Sequence, residues 1–213
     1  WHRQNYNPSL VAHADAVIGD RSQLPSLPRV FIPLCGKTRD IFFWLEKGFE
    51  VVANEFAVKG FEEFTQENNV RWHDNTSAIP SATVNVHRAV DLPLTWVQGD
   101  FFAITPEIAG GQFDVVYDRA SMIAINPEQR AQYARTIYSL LRPGGKILLV
   151  VANYNLDGMQ GPPHSIPEDI LKGQVFPDSE YPALEFEKIG SINSTGNRPF
   201  DKPSIKYAYD DTY

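Results

Sequence analysis

The sequence predicts a doubly wound α/β domain built on a mostly parallel seven-stranded sheet with an antiparallel edge strand. Three observations carry that expectation. Short apolar runs alternate with amphipathic stretches between residues 29 and 154, the pattern of parallel strands joined by crossover helices. The first run ends in a glycine turn that opens a helix, "RVFIPLCGKTRD" at 29–40. Two late strand-like segments, joined by the turn-rich "SINSTGNRPFDKPS", close the chain as an antiparallel pair.

The elements follow in order. Residues 29–34 form an apolar run, and "TRDIFFWLEKG" after it places Ile41, Trp44 and Leu45 at helical spacing, with Thr38 or Asp40 near the start and Gly48 as a stop. "FEVVANE" (49–55) is the second strand, and Val58, Phe61 and Phe64 give the next helix an apolar edge. Residues 68–95 are polar and dotted with proline, a loop with a short hairpin. "LTWVQGDFF" (94–102) and "QFDVVYDR" (112–119) are strands. In "INPEQRAQYARTIYSLL" (125–141) Asn126 fits the N-cap, Pro127 the first helical position and Gln129 the capping box. The helix stops at "RPGG", and "KILLVVANY" (146–154) follows as a strand. "GMQGPPHSIPEDI" leads into a short helix with a second capping box at Ser165 and Glu168. "ALEFEKIGSIN" and "SIKYAYDDTY" are the closing strands.

A chain of 213 residues suits a single domain over 1–213. Its net charge of −7 argues against a nucleic-acid partner. No apolar run approaches the ~20 residues of a membrane span. No signal-peptide pattern opens the chain, which starts at Trp1 without Met. Lone Cys35 excludes an internal disulfide and, without cysteine neighbours, a thiolate metal site; it reads as a small buried residue. A cytoplasmic monomer without a metal is the expectation.

Gly-Lys-Thr at 36–38 are the closing letters of a triphosphate-binding loop. That loop needs an earlier glycine, and Phe31, five residues before Gly36, stands inside a strand. A dinucleotide fingerprint is absent too, because Gly36 has no companion glycines, which also disfavours an NAD-dependent enzyme. What fits is a nucleoside without a pyrophosphate. Gly36 allows close backbone approach, and Glu55, 19 positions later at a strand end, matches the spacing of a ribose-binding carboxylate. Asp100 and Phe101 stand at the end of the third strand, where an adenine can be edged and covered. S-adenosylmethionine answers that description.

Several segments also resemble a known family. "RVFIPLCGKTRDIFFWLEKGFEVVANE", "YDRASMIAINPEQRAQYA", "LLRPGGKILLV" and "GPPHSIP" resemble, in the same order, the thiopurine S-methyltransferase family of class I S-adenosylmethionine-dependent methyltransferases. The resemblance covers residues 1–172 and implies a Rossmann-like fold. It implies that Leu34 and Gly36 line the cofactor, that Glu55, with Phe56 beside it, holds the ribose, and that Gly99, Asp100 and Phe101 meet the adenine. Arg119 matches the arginine of an Asp-Arg motif beside cofactor and acceptor. Trp1 and His2 match an aromatic-His pair at the acceptor side, and Pro162 lies in the "GPP" segment bordering the acceptor pocket. Ala53-Asn54 and the asparagines of "ANYN" (152–155) depart from the family pattern, and no match extends past residue 172.

The implied activity is methyl transfer from S-adenosylmethionine to a small thiol, thiopurine-like or selenol acceptor. The alternatives are a halide or another small nucleophile as acceptor, or a non-catalytic binding module of the same fold. Arg119, always charged, is the candidate for stabilising an anionic nucleophile, with a structural ion pair to Asp118 as its other reading. Asp118 and His164 are the candidate bases. Trp1 either attracts the sulfonium through its ring or covers the pocket.

Overall fold

Five apolar runs become the parallel centre of one sheet. The computed structural model describes residues 5–73, 77–79, 83–155, 159–194 and 208–213. In it β1 (Arg29–Ile32), β2 (Glu50–Glu55), β5 (Leu94–Gly99), β6 (Phe113–Arg119) and β7 (Leu141–Tyr154) lie side by side in the order β5-β2-β1-β6-β7. The register pairs Phe31 with Val52 on one side and with Val116 on the other. The centres of β1, β2, β6 and the second half of β7 are buried on both faces, which is why those stretches are largely apolar and not alternating.

Successive residues still point to opposite faces. Val30, Val51, Val115 and Leu148 pack with Leu10, Ile41, Trp44 and Phe64 on one side. Phe31, Val52, Val116 and Leu149 pack with Tyr133, Ile137 and Leu171 on the other. Helices α1 (Pro8–Ile18), α2 (Asp40–Glu46) and α3 (Val58–Asn68) supply the first layer, and α4 (Arg130–Leu140) and α5 (Glu168–Ile170) with its π turn Leu171–Val175 supply the second.

Among the described residues the sheet has nine strands where seven are expected. The extra pair is the hairpin β3 (Ser77–Ile79) and β4 (Val84–Arg88), antiparallel to each other and to β5, from the polar stretch 68–95. At the far edge β9 (Ala208–Thr212) runs antiparallel to β7, and β8 (Gly190–Asn193) antiparallel to β9. The closing antiparallel pair thus forms as expected; β8 is shorter than its run suggests, and residues 204–207 of the second segment lie outside the described residues.

One helix was not foreseen from the sequence, and two capping readings change. Helix α1 carries no strong periodicity, yet the Asn7 side chain accepts bonds from the Ser9 and Leu10 amides and Pro8 occupies the first turn. Asn126 makes no side-chain cap, because Pro127–Gln129 form a 3-10 turn ahead of α4. Ser165 does not cap α5. Its buried hydroxyl accepts from the Tyr154 amide at 2.9 Å and donates to the Tyr154 carbonyl at 2.8 Å, standing in for a strand partner at the end of β7.

The chain winds from β1 outward through β2 to β5, then returns to β6 on the other side of β1. The carboxyl ends of β1 and β6 therefore diverge to form the crevice where open α/β sheets take their ligands. No helix among the described residues is long and apolar enough to cross a membrane.

Gly99 ends β5 at φ +148, and a Cβ there would meet the Thr83 carbonyl oxygen and Val84 Cγ1, both at 2.6 Å. Gly99→Ala should cost about 1–3 kcal/mol, read as a fall of several degrees in the melting temperature. An unchanged melting temperature would show that the β4–β5 contact does not depend on this glycine.

Candidate functional site

The loops that follow β1, β2 and β6, together with the "GPP" segment, enclose a cleft of about 620 Å³. Its floor and walls are built by a few hydrogen bonds. Glu55, at the tip of β2, reaches across to the neighbouring loop, where its Oε2 accepts the Gly36 amide at 2.8 Å. Its Oε1 accepts the Ala57 amide at 2.8 Å, fixing the entry to α3. Gly60, in the first turn of α3, makes room for this side chain, since a Cβ there would lie 2.9 Å from Glu55 Cγ.

Gly36 itself has φ +55, and a Cβ on it would project into open space. Leu34, two residues earlier, also takes a left-handed conformation at φ 42. The chain can turn this sharply because the Cys35 amide bonds the Asn54 carbonyl at 2.8 Å and the Ser121 hydroxyl donates to the Pro33 carbonyl at 2.7 Å. Asn54 is buried and donates to the Val97 and Gly99 carbonyls, tying the tips of β2 and β5 together.

On the β6 side the period of two decides which residues face the cleft. Tyr117 and Arg119 line it, while Asp118 between them does not. Asp118 is 1% exposed and points toward α4. Its Oδ2 accepts the Tyr133 hydroxyl at 2.7 Å, and its Oδ1 accepts the Ser121 and Met122 amides at 3.1 and 3.2 Å. The expected base is a fastener of the loop that presents Arg119, and Ala120, at φ 67, completes that turn.

Tyr117 donates to Asp40 Oδ2 at 2.9 Å, and Asp40 Oδ1 accepts the Asn7 amide at 2.8 Å, linking α1, α2 and β6 under the cleft. Burial, then the Asp40 charge, drives the Tyr117 phenol well above its ordinary range, while the Arg119 charge opposes them. It is a neutral donor. Burial likewise pushes the Cys35 thiol up, with Glu55 adding to the shift, so this cleft-lining sulfur is a thiol and no nucleophile.

Of the residues expected at the site, Leu34, Gly36, Glu55, Phe56, Arg119 and Pro162 line the cleft together. Phe56 lies 73% exposed at its rim. Gly99, Asp100, Phe101 and His164 are not in its lining. Asp100 caps the short turn Phe101–Ala103 by accepting the Phe102 amide, and Phe101 is 4% exposed, stacked on Tyr133 with ring centroids 4.6 Å apart. The His164 amide bonds the Ile123 carbonyl at 2.6 Å, and burial, then the Arg130 charge, lowers its imidazole, which disfavours a charged role. Trp1 and His2 lie outside the described residues. Asp40 and Tyr117 were not foreseen as site residues: an acid in the first turn of a helix reads as a helix start, and a tyrosine in an apolar strand reads as core.

A nucleoside without phosphates fits this donor set. The carboxylate at the β2 tip retains acceptor capacity beyond its two amide bonds, Gly36 leaves a cradle that any Cβ would fill, and Leu34, Ile32 and Phe56 supply apolar cover. Among the described residues no group of three His, Cys, Asp or Glu side chains is placed to hold a metal ion.

Solved structures share this architecture. TehB from Haemophilus influenzae superposes with a TM-score of 0.61 at 14% identity, over 99% of this chain and 63% of that one, so this chain spans less than two thirds of that structure. A Burkholderia thailandensis 1,6-didemethyltoxoflavin-N1-methyltransferase, solved with S-adenosylhomocysteine, gives 0.54 at 16% identity over 96% and 77% of the two chains. At these identities the likeness concerns the fold.

Sequence relatives are more specific. The thiopurine S-methyltransferase family model matches residues 1–195, so the likeness runs past residue 172, where the sequence reading ended it. A thiopurine S-methyltransferase of Methylococcus capsulatus is 32% identical over 172 residues, 80% of this chain and 72% of that protein. A probable thiopurine S-methyltransferase of Danio rerio is 34% identical over 173 residues, 81% of this chain and 72% of its own length. The chain belongs to the thiopurine S-methyltransferase family, whose members are S-adenosylmethionine-dependent methyltransferases.

Burial lifts the Asp118 carboxyl from 3.8 to about 6, against the opposing hydrogen bonds from Tyr133, Met122 and Ser121. The folded state therefore holds this proton more tightly than the unfolded chain. The resulting stability is full below about pH 4 and is lost as pH rises through about 6, on the order of 1–3 kcal/mol. Asp118→Asn keeps an acceptor oxygen and should flatten the stability–pH curve in this window, measured by thermal melts. A variant curve with the parent's slope would reject the assignment.

Proposed function

We propose that the protein transfers the methyl group of S-adenosylmethionine to a small thiol, thiopurine-like or selenol acceptor by in-line displacement. The observation that carries the reading is the Glu55–Gly36 bond across the strand tips, facing Arg119 in one cleft without phosphate-binding glycines. The names of the curated relatives support the choice of a sulfur acceptor over a halide.

Each residue has a task. Glu55 takes the ribose hydroxyls, and Gly36 lets the loop backbone approach the ligand. Leu34 and Phe56 cover its apolar faces. When bound, the cofactor supplies a methyl group on a sulfonium that leaves as a neutral thioether. The chain's main work is then alignment and exclusion of water. Arg119 favours the anionic form of the acceptor: a free thiol titrates near ~8.5, and a fixed cation raises the thiolate fraction at neutral pH. Pro162 borders the acceptor side. Tyr117 and Asp40 bond each other and set the electrostatic floor. The same reading takes the protein as a cytoplasmic, metal-free monomer with one domain over residues 1–213, in which Trp1 and His2 complete the acceptor side.

Acceptor profiling with labelled methyl donor over thiols, selenols, iodide and amines tests the reading, with thiol or selenol products expected; methylation of amines alone would overturn it. Glu55→Ala should raise the Kd for S-adenosylhomocysteine about ten- to a hundredfold, the loss of about 1.5–3 kcal/mol for a charged hydrogen bond. Equal calorimetric affinity would remove Glu55 from the site. Arg119→Ala should lower turnover about a hundredfold with little change in that Kd. The reverse pattern would make Arg119 a cofactor-holding residue.

A further inference from the structure

The glycine turn after β1 is held under strain. Leu34 and Gly36 both have positive φ, and a non-glycine residue in that region costs about 1–3 kcal/mol, so it persists where neighbouring contacts over-determine it. Buried and partly buried contacts fasten residues 33–36: Ser121 to the Pro33 carbonyl, Asn54 to the Cys35 amide and Glu55 to the Gly36 amide. Beyond Gly36 the chain leaves this buried frame, and the next residue carries the next tether. Lys37 Nζ stands 2.8 Å from Glu63 Oε2 and 2.5 Å from Glu67 Oε1.

Glu63 and Glu67 are four residues apart on α3 and so share one face. Lys59 approaches Glu63 from the preceding turn at 3.6 Å, which extends the pair into a network. Lys37 and Glu63 both line the cleft, and the same helix carries Gly60 against Glu55. The loop and α3 are thus joined twice, once through the partly buried Glu55 and once through a partly exposed ion-pair cluster. The Glu63 hydrogen bond, then that of Glu67, raises the Lys37 ammonium above its ordinary range.

We propose that Lys37 is a positioning residue for the cofactor loop: its pairing with Glu63 and Glu67 keeps the Leu34–Gly36 turn in its receptive shape and makes cofactor affinity sensitive to ionic strength. The proposal rests on the cofactor reading above, but its structural half stands without any ligand. The three letters Gly-Lys-Thr acquire a meaning here: the lysine grips its own helix and Thr38 Oγ1 accepts the Asp40 amide at the start of α2. A single exposed pair contributes little, whereas a lysine shared by two carboxylates gives an effect that salt can screen.

The test uses two readouts on Lys37→Met, Lys37→Arg and the double variant Glu63→Gln/Glu67→Gln. Hydrogen exchange of the amides at 35–38 is followed in the free protein, and calorimetry gives the Kd for S-adenosylhomocysteine at about 0.02 and about 0.5 M salt. Expected for Lys37→Met and for the double variant is several-fold faster exchange, a Kd about five- to tenfold higher at low salt, and loss of the salt dependence seen in the parent. Lys37→Arg should keep the parent's behaviour, and melting temperatures should stay close to the parent's. Parental exchange in Lys37→Met overturns the clamp. Faster exchange with parental affinity at both salt levels overturns its role in cofactor binding. A parent that does not bind S-adenosylhomocysteine overturns the cofactor reading and the affinity half of this proposal, while the exchange data still decide the clamp.

Discussion

One bond organises the site: the Gly36 amide donating to the Glu55 carboxylate. It joins the loop of β1 to the tip of β2, and the other carboxylate oxygen starts α3. A backbone amide can aim this way only where the chain turns through a left-handed conformation, which Gly36 supplies. The carboxylate can come this close only because Gly60 has no side chain. Parallel pairing of β1 with β2 brings the two partners level, since Ile32 is in register with Ala53 and each needs only a short run to reach the crevice. Sequence separation of 19 residues is the length of one loop, one crossover helix and one strand.

A second framework mirrors the first on the other side of the switch point. Asp118 fastens the loop after β6, and Ser121 of that loop bonds the carbonyl of Pro33 in the loop after β1. The two walls of the cleft are therefore tied at their base. Buried acids do this structural work: Asp118 toward α4, Asp40 toward α1 and Tyr117. Their hydrogen bonds to amides and phenols offset the cost of burying them. Arg119, on the opposite face of the strand from Asp118, lines the cleft.

Legibility in the sequence followed from burial. Strands buried on both faces must be apolar throughout, so "VFI", "VVA", "DVVY" and "LLVV" announced themselves. Helix α1 did not, because alanine and histidine dilute its periodicity and only Asn7-Pro8 marks its start. The capping pattern at Ser165 misled because a serine hydroxyl can serve a strand end as well as a helix. At the site, Gly36 and Glu55 were readable from spacing, since main-chain geometry fixes both. The role of Asp118 was not, because adjacency to Arg119 suggested partnership where the pleat turns the two side chains to opposite faces. The strand's alternation held that information, and Tyr117 with Arg119 was the pair it put in the cleft. Phe101 showed the converse: a strand-end aromatic is as readily core as cover, and only packing against Tyr133 decides.

The charges around the cleft suit a cationic nucleoside better than a phosphate. Lys37 is neutralised by Glu63 and Glu67, and Lys59 leans on Glu63 as well. Glu55 and Asp40 line the cleft on the side of the β1 and β2 loops, and Arg119 lines it from β6. A triphosphate would meet acids where it needs cations. On the proposed reading, a sulfonium nucleoside lies toward Glu55 and an anionic sulfur approaches from the Arg119 side. That polarity, negative on one wall and positive on the other, is what an in-line transfer between a cationic donor and an anionic acceptor requires, because it places each partner by its charge before any contact selects its shape.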